Sequence, residues 1–337
     1  MKNNIADIFL DVRGLKTHFF TDEGVVKAVD GVDFTINRGR TVCIVGESGC
    51  GKSITARSIL QIIDKPGKIV EGEMLLQKNS GEKIDICSLK STGKAMRKIR
   101  GKEISMIFQE PMSSLSPVHT IGDQIKEGIE LHFGISKSES RKRTIEILDR
   151  VGIPKAEERI DSYVFELSGG MCQRAMIAMA LSCQPNLLIA DEPTTSLDVT
   201  TQANILALIK ELQKDLNMTI MFITHDLGVV AEIADDVVVM YLGKVVESGD
   251  VDTIFNDPKH PYTKKLLESI PMLGISHKRR LQPIKGMVPH PFARPNGCSF
   301  HPRCESFMPD ICDQRNPPLV RLSKKIHVRC FLHGGMD

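Results

Sequence analysis

The sequence contains no tryptophan and only 3 tyrosines, and aromatic residues make up 5% of its 337 residues. It also lacks an excess of either charge, because 44 basic and 42 acidic residues give a formal net charge of +2. Such a chain has no global field that would require a nucleic-acid partner. Its longest apolar runs, residues 218–223 and 237–242, are far shorter than the roughly 20 residues of a membrane-spanning helix. Asp7 and Asp11 lie where a signal peptide needs its apolar core, so we expect a protein that is neither secreted nor membrane-spanning.

Proline is concentrated in one part of the chain. Of 17 prolines, 11 fall between Pro258 and Pro318, which excludes ordinary helices and central strands there. From Asn256 onward 14 basic residues face 6 acidic ones, a charge of +8 that we interpret as a solvated basic face, and the rest of the chain carries −6. The length predicts about two domains. We place them at residues 1–255 and 256–337.

The first of these domains has an α/β pattern. Short apolar runs are typical of buried strands, and they cover residues 42–45, 104–108, 187–190, 218–223 and 237–240. Apolar residues at helical spacing occur between them. Residues 111–165 contain no strand-like run, so we predict an all-helical insertion there.

A phosphate-binding loop follows the first of these runs. Gly46-Glu-Ser-Gly-Cys-Gly-Lys-Ser53 matches the P-loop pattern between a predicted strand and a predicted helix. Glycines let successive backbone N–H groups turn toward phosphate oxygens, Lys52 reaches the β- and γ-phosphates, and the Ser53 hydroxyl binds Mg²⁺. The predicted ATP-binding residues of the loop are Gly46, Ser48, Gly49, Cys50, Gly51, Lys52, Ser53 and Ile54.

Two adjacent acids end the predicted strand at residues 187–190. Burying neighbouring carboxylates is costly unless a cation compensates them, and Mg²⁺ bound to a nucleoside triphosphate would do so. We therefore predict that Asp191 holds Mg²⁺ through water and that Glu192 is the general base for the attacking water.

Leu167-Ser168-Gly169-Gly170 lies 24 residues before Asp191 and opens an apolar helix. With this motif, residues 7–255 resemble the ABC (ATP-binding cassette) family. Three weaker motifs follow the family's order: Gln109 after a strand resembles the Q-loop, Ser196-Leu-Asp198 the D-loop, and His225 the switch histidine. The resemblance implies an α/β fold, with a P-loop NTPase (RecA-like) parallel-sheet core, an antiparallel β-subdomain, the helical insertion and a C-terminal cysteine-rich extension.

The resemblance also implies a mechanism in which two cassettes meet head to tail. Each ATP then lies between the P-loop of one cassette and the LSGG segment of the other, where Ser168, Gly169, Gly170 and Asp198 line the nucleotide site. The implied catalytic residues are Glu192, His225, Lys52 and Gln109, and the implied Mg²⁺ ligands are Ser53, Gln109 and Asp191.

Two positions depart from the family pattern. Met171 follows LSGG where the family usually has glutamine, so a side-chain hydrogen bond from this position to the opposite ribose is lost. For the aromatic residue that stacks on adenine two alternatives stay open: one of Phe19 and Phe20, which lie 27 and 26 residues before Gly46, takes this role, or both are core residues.

Four of the 9 cysteines crowd into the last 40 residues. They are Cys298, Cys304, Cys312 and Cys330. The odd total argues against a disulfide framework, and the spacing fits the short Cys-x2–4-Cys hooks of zinc sites poorly. Four thiolates can also hold an iron–sulfur cluster, whose negative charge basic neighbours would stabilise. The spacing by itself leaves a cluster, zinc and free thiols open.

The tail resembles that of the ATPase subunits of bacterial dipeptide/oligopeptide importers, which have nickel importers as close relatives. The matching segments are His260-Pro-Tyr-Thr263 and Gly297-Cys-Ser-Phe-His-Pro-Arg-Cys304. This resemblance implies a [4Fe–4S] cluster on the four cysteines, with Zn²⁺ as the alternative. It also implies two separate transmembrane permease subunits, a second homologous ATPase or a second copy of the chain, and an extracytoplasmic peptide-binding protein that acts indirectly.

We therefore expect a peripheral ATPase on the cytoplasmic face of the cell membrane that powers peptide import. The alternatives are a nickel importer ATPase and a soluble ABC ATPase acting on nucleic acid, ribosomes or Fe–S assembly. The chain has neither the long coiled coil nor the second cassette of such soluble proteins. Because the basic tail has few aromatic residues, we expect no nucleic-acid partner.

Overall fold

The structure is a computed structural model, which describes residues 7–195, 197–269, 284–323 and 325–335. The chain divides into two compact units. The first unit contains Met1–Ser88 and Ile223–Asp337, and the second contains Leu89–Phe222. The division into domains at residues 1–255 and 256–337 stays a prediction.

The strands are β1 (Ile8–Thr21), β2 (Gly24–Asn37), β3 (Thr41–Val45), β4 (Gly67–Gln77), β5 (Lys83–Asp85), β6 (Ile104–Ile107), β7 (Leu187–Asp191), β8 (Thr219–Ile223), β9 (Asp236–Tyr241), β10 (Lys244–Asp250), β11 (Val320–Arg321) and β12 (His327–Val328). The α-helices are α1 (Lys52–Ile59), α2 (Lys94–Ile99), α3 (Pro111–Ser114), α4 (Ile121–Phe133), α5 (Lys137–Arg150), α6 (Ala156–Arg159), α7 (Gly169–Leu181), α8 (Val199–Leu216), α9 (Leu227–Ile233), α10 (Val251–Asn256) and α11 (Pro261–Glu268). Within the described ranges, no helix is both long and apolar enough to cross a bilayer.

The first unit contains an antiparallel sheet with the strand order β2-β1-β4-β5. The long strands β1 and β2 form a hairpin that closes with Thr21 opposite Gly24. Several register shifts interrupt the pairing of β1 with β2 and β4. The inner face of this antiparallel sheet buries apolar side chains such as Leu15, Val32 and Ile36. These strands supply the segment that contains Phe19 and Phe20.

The same unit contains strands in the order β11-β12-β10-β9-β3. Every residue of β3 is buried, as its continuous apolar run indicates, and β3 runs parallel to β9 with Ile44 opposite Val238. At the other edge, Glu247 of β10 pairs with Val328 of β12. The C-terminal extension therefore adds strands to the sheet from which the phosphate loop emerges.

The second unit contains strands in the order β8-β7-β6, with β6 and β7 parallel. The segment predicted as a helical insertion contains α3–α6. Helix α4 places Ile121, Ile125 and Ile129 in the core at helical spacing, and it packs with α5 and α7. Polar N-caps begin these helices, because Thr120 accepts the Asp123 N–H and Ser136 accepts the Glu139 N–H.

Candidate functional site

The phosphate loop joins β3 to α1 in the first unit. Gly46 and Gly51 have φ angles of 149° and 102°, which favour glycine. A Cβ atom would lie 2.2 Å from the Met240 carbonyl oxygen at Gly46, and 2.4 Å from the Ala28 carbonyl oxygen at Gly51. Both positions therefore admit only glycine, on grounds of conformation and of space.

Lys52 is the first residue of α1 and is 5% exposed. Its ammonium group donates to the carbonyl oxygens of Gly46 (2.8 Å) and Glu47 (3.2 Å). The loop backbone therefore surrounds the Lys52 ammonium group. Ser48 and Gly49 are exposed on the loop, whereas Cys50 is buried and burial raises the pKa of its thiol. Ser53 and Ile54 follow in the first turn of the helix and are partly exposed.

The two candidate adenine-stacking residues differ in their surroundings. The Phe19 ring lies so close to Gly67 that a Cβ atom there would be 2.6 Å from it. The Phe20 ring is 42% exposed, and the Lys68 ammonium lies 4.5 Å from its centroid. The choice between these two residues stays a prediction.

His225 follows β8 and is exposed in the first unit. The preceding Thr224 donates its N–H to the Ile44 carbonyl oxygen at 3.4 Å. Because Ile44 belongs to β3, the backbone carries His225 to the end of the strand from which the phosphate loop starts.

The second unit brings Gln109 and Glu192 together. All residues of β7 are buried, and the strand ends at Asp191, which is 3% exposed. Glu192 follows with φ of 46° in the left-handed region, and its Oε2 accepts hydrogen bonds from Gln109 Nε2 (3.2 Å) and Thr195 Oγ1 (3.0 Å). Parallel neighbours β6 and β7 end at the same edge, which places Gln109 beside this carboxylate.

The LSGG segment forms the start of α7. Ser168 is the N-cap, and its hydroxyl accepts the Met171 N–H at 3.3 Å. Ser168 and Gly169 are exposed and Gly170 is partly exposed, so the start of the helix is accessible. A helix N-terminus of this kind is suited to binding an anion.

Asp198 caps α8 in the same way by accepting the Thr201 N–H at 3.0 Å. Hydrogen bonds from Thr201 hold the pKa of the Asp198 carboxyl below its usual value. The neighbouring Ser196 lies outside the described residues.

Gln173 is a residue that sequence reasoning missed. It is buried in α7, and its amide donates to the Pro193 carbonyl oxygen at 2.6 Å. This bond ties the helix after LSGG to the turn that contains Glu192. The available signal was a glutamine near the start of a mostly apolar helix.

The four cysteines of the extension converge. Cys298, Cys304, Cys312 and Cys330 line one small cavity, and all four are free of disulfides. The Cys298 N–H donates to the Cys312 carbonyl oxygen at 2.7 Å. Burial, together with the charges of the neighbouring cysteines, raises the pKa of Cys298 and of Cys330 to about 11. Within the described part of the chain, no group of three or more His, Cys, Asp or Glu residues is arranged to hold a metal ion, so the iron–sulfur cluster stays a prediction.

The sequence predicts that the basic residues of the extension form a solvated face. Arg303 does not belong to such a face. Arg303 pairs with Glu47 of the phosphate loop (2.7 Å), and its side chain is 4% exposed. No local sequence pattern indicates this contact, because the partners lie 256 residues apart.

Two known families match separate parts of the chain. The ABC transporter family matches residues 29–195. The family described as the C-terminal region of oligopeptide/dipeptide transporters matches residues 246–312. The second match includes three of the four cysteines of the extension.

Three relatives align with nearly the whole chain. A putative peptide import ATP-binding protein of Brucella melitensis is 52% identical over 96% of both chains. The oligopeptide transport ATP-binding protein AppD of Bacillus subtilis is 51% identical over 96% of both chains. The dipeptide transport ATP-binding protein DppD of Escherichia coli is 44% identical over 95% of both chains.

Solved structures share the fold. The dimeric post-hydrolysis state of the ATP-binding cassette MJ0796, bound to ADP and Pi, matches with a TM-score of 0.63 and 27% identity, over 72% of this chain and 98% of that one. The cbiO1 subunit from Clostridium perfringens matches with a TM-score of 0.61 and 30% identity, over 74% of this chain and 92% of that one. The predicted α/β cassette fold with its antiparallel subdomain is therefore confirmed, and the chain belongs to the ABC transporter family of ATP-binding proteins, in the group with the oligopeptide/dipeptide transporter C-terminal region.

Proposed function

We propose that this chain is the ATP-hydrolysing subunit of an importer of dipeptides or oligopeptides. The observation that carries the proposal is the presence in one chain of the cassette motifs and of the oligopeptide/dipeptide C-terminal region, aligned over nearly the whole length with peptide-import ATP-binding proteins. A soluble ABC ATPase of another kind would need no such C-terminal region.

In this proposal the phosphate loop binds ATP and Mg²⁺. The loop amides and Lys52 hold the phosphates, and the adenine stacks on Phe19 or Phe20. The resemblance assigns the binding of Mg²⁺ to Ser53, Gln109 and Asp191, and the positive charge of the ion would neutralise phosphate oxygens during transfer.

Glu192 orients and deprotonates the attacking water. The hydrogen bonds from Gln109 and Thr195 fix its carboxylate, so a shift of Gln109 would also move the general base. His225 stabilises the charge that develops on the γ-phosphate. These roles follow the resemblance residue by residue.

The exposed start of α7 serves a second cassette. Ser168, Gly169 and Gly170 offer a helix N-terminus to the γ-phosphate of an ATP held by the partner's phosphate loop, and Asp198 lies at the same dimer face. The partner is a homologous ATPase or a second copy of this chain. The opening and closing of the cassette dimer is transmitted to two transmembrane permeases. An extracytoplasmic peptide-binding protein delivers the substrate. The cassette lies on the cytoplasmic face of the membrane.

Affinity purification tests these partners. We expect the tagged protein, purified from detergent-solubilised membranes under anaerobic conditions, to bring down two multi-span permeases and a second cassette in mass spectrometry. A tag placed on an unrelated membrane-bound ATPase is the control for non-specific capture. Recovery only from the soluble fraction, with no membrane partner, would contradict the importer. Uptake of labelled dipeptide, longer peptide or Ni²⁺ by the reconstituted complex then identifies the substrate.

We further propose that the four cysteines hold a [4Fe–4S] cluster rather than Zn²⁺. The spacing of the cysteines fits the short Cys-x2–4-Cys hooks of zinc sites poorly. The proposal is supported by the resemblance of the tail to that of peptide-importer ATPases and by the position of the four cysteines around one small cavity, where none of them forms a disulfide. The cluster would cross-link a segment poor in apolar residues.

Metal analysis of anaerobically purified protein tests this assignment. We expect about four iron atoms and four sulfides per chain, with loss of both in Cys304→Ser. The buried Cys183, which lies in the second unit, gives a matched control because Cys183→Ser should retain the iron. One zinc ion per chain without iron, or neither metal, would overturn the proposal.

A further inference from the structure

The phosphate loop carries a carboxylate of its own. Glu47 directly follows Gly46, and its side chain is 25% exposed. A triphosphate that enters this loop brings several negative charges close to this carboxylate, and like charges at short range oppose binding. Lys52 does not neutralise Glu47 through a side-chain contact, because its ammonium bonds to the carbonyl oxygens of the loop.

Arg303 of the extension supplies the missing countercharge. Its guanidinium forms a two-pronged ion pair with Glu47, with Nη1–Oε2 at 2.7 Å and Nη2–Oε1 at 3.0 Å. It also donates to the Tyr241 hydroxyl at 3.3 Å and to the Lys285 carbonyl oxygen at 3.2 Å. A planar guanidinium held by this many partners in a buried position has little freedom to leave the carboxylate.

The extension holds the backbone of the same residue as well. The Glu47 N–H donates to the Tyr262 hydroxyl at 2.9 Å. Tyr262 is fully buried, and its ring packs against Tyr241 and Phe300 at centroid distances of 4.7 and 5.3 Å. Because this N–H group already has an acceptor, it is not one of the loop amides that are available to phosphate oxygens.

Arg303 is itself fixed by the cysteine region, by which we mean the segment that contains the four cysteines from Cys298 to Cys330. It ends the short 3-10 helix His301–Arg303, directly before Cys304. The His301 N–H donates to the Cys298 carbonyl oxygen at 3.0 Å, and the Arg303 N–H donates to the Phe300 carbonyl oxygen at 3.0 Å. Any group that holds Cys298 and Cys304 in place therefore also sets the position of Arg303.

We propose that Arg303 is a positioning residue for nucleotide binding, which neutralises the phosphate-loop carboxylate and thereby makes ATP affinity depend on the folded cysteine region. The inference rests on the proposed ATP-binding function of the loop. The C-terminal extension then contributes directly to the nucleotide site.

A double-mutant cycle tests the proposal. The dissociation constant of MgATP is measured by calorimetry on the full-length chain for wild type, Arg303→Met, Glu47→Gln and the double variant. We expect Arg303→Met to raise Kd about tenfold, because Glu47 is left charged and unpaired beside the phosphates. The double variant should regain most of the affinity, because its loop no longer carries a charge, and Arg303→Lys should fall between Arg303→Met and wild type.

Arg329 provides the matched control. It also directly precedes a cysteine, and its side chain is 18% exposed, but it pairs with Asp33 at 3.2 Å rather than with the phosphate loop. Arg329→Met should leave Kd within about twofold of wild type. The melting temperature of each variant shows whether it has unfolded, and its iron content shows whether the four cysteines still hold their cluster. Both measurements separate a loss of affinity from these two effects.

Two outcomes would overturn the proposal. One is a wild-type Kd in Arg303→Met. The other is a double variant that binds no better than Arg303→Met, which is the result expected if Arg303 only supports the fold. A wild-type chain that fails to bind MgATP would instead contradict the proposed function.

Discussion

Glu192→Gln should lower the rate of ATP hydrolysis by roughly 10²- to 10⁴-fold while leaving MgATP binding intact. The amide cannot take a proton from water. Its oxygen can still accept the hydrogen bonds that Gln109 and Thr195 donate to the native carboxylate, so the turn after β7 keeps its structure. Bound ATP then persists, and two cassettes should remain closed around it.

Phosphate release and size-exclusion chromatography with light scattering measure both effects. Addition of MgATP should convert Glu192→Gln to a stable dimer, whereas wild type should dimerise only transiently. Glu211→Gln makes the same chemical change on an exposed position of α8 and should hydrolyse ATP normally. Unimpaired turnover in Glu192→Gln would refute the general-base assignment.

Lys52→Met should raise the Kd for MgATP by about a hundredfold, because it removes the cation that bonds to the β- and γ-phosphates. The methionine retains the aliphatic length of the buried side chain, so helix α1 keeps its packing. The carbonyl oxygens of Gly46 and Glu47 lose a donor, and we expect a small decrease in melting temperature as a result.

Equilibrium binding of a fluorescent ATP analogue measures the loss. The control is Lys98→Met, which removes a charge of the same sign from an exposed position of α2 and should bind as wild type does. An affinity within twofold of wild type in Lys52→Met would show that the loop does not bind phosphate in the way proposed.

The features predicted correctly from the sequence are local ones. A fully buried parallel strand requires a continuous apolar run, which is why residues 42–45 and 187–190 identify β3 and β7. The phosphate loop depends on glycines at fixed spacing, and the positive φ angles of Gly46 and Gly51 supply the physical reason. Each of these signals is complete within a few residues.

The features that sequence reasoning missed depend on which elements become neighbours. The bond from Gln109 to Glu192 exists because β6 and β7 pair in parallel, and no local pattern specifies that pairing. The role of Gln173 becomes visible only when the fold places the Pro193 carbonyl oxygen beside its amide. The pairing of Arg303 with Glu47 joins opposite ends of the chain, so its residues carry no signal until the fold is known.

The arginines of the extension limit which parts of this protein can be exchanged with those of a relative. Three of them meet carboxylates from the first 50 residues, and the pairs are Arg294 with Asp30, Arg303 with Glu47 and Arg329 with Asp33. A chimera that grafts the extension onto another cassette without these acids would leave guanidinium groups buried against a neutral surface, at a cost in folding. The extension is therefore no transplantable module. A functional exchange between relatives, in the laboratory or in evolution, has to carry both ends of the chain together.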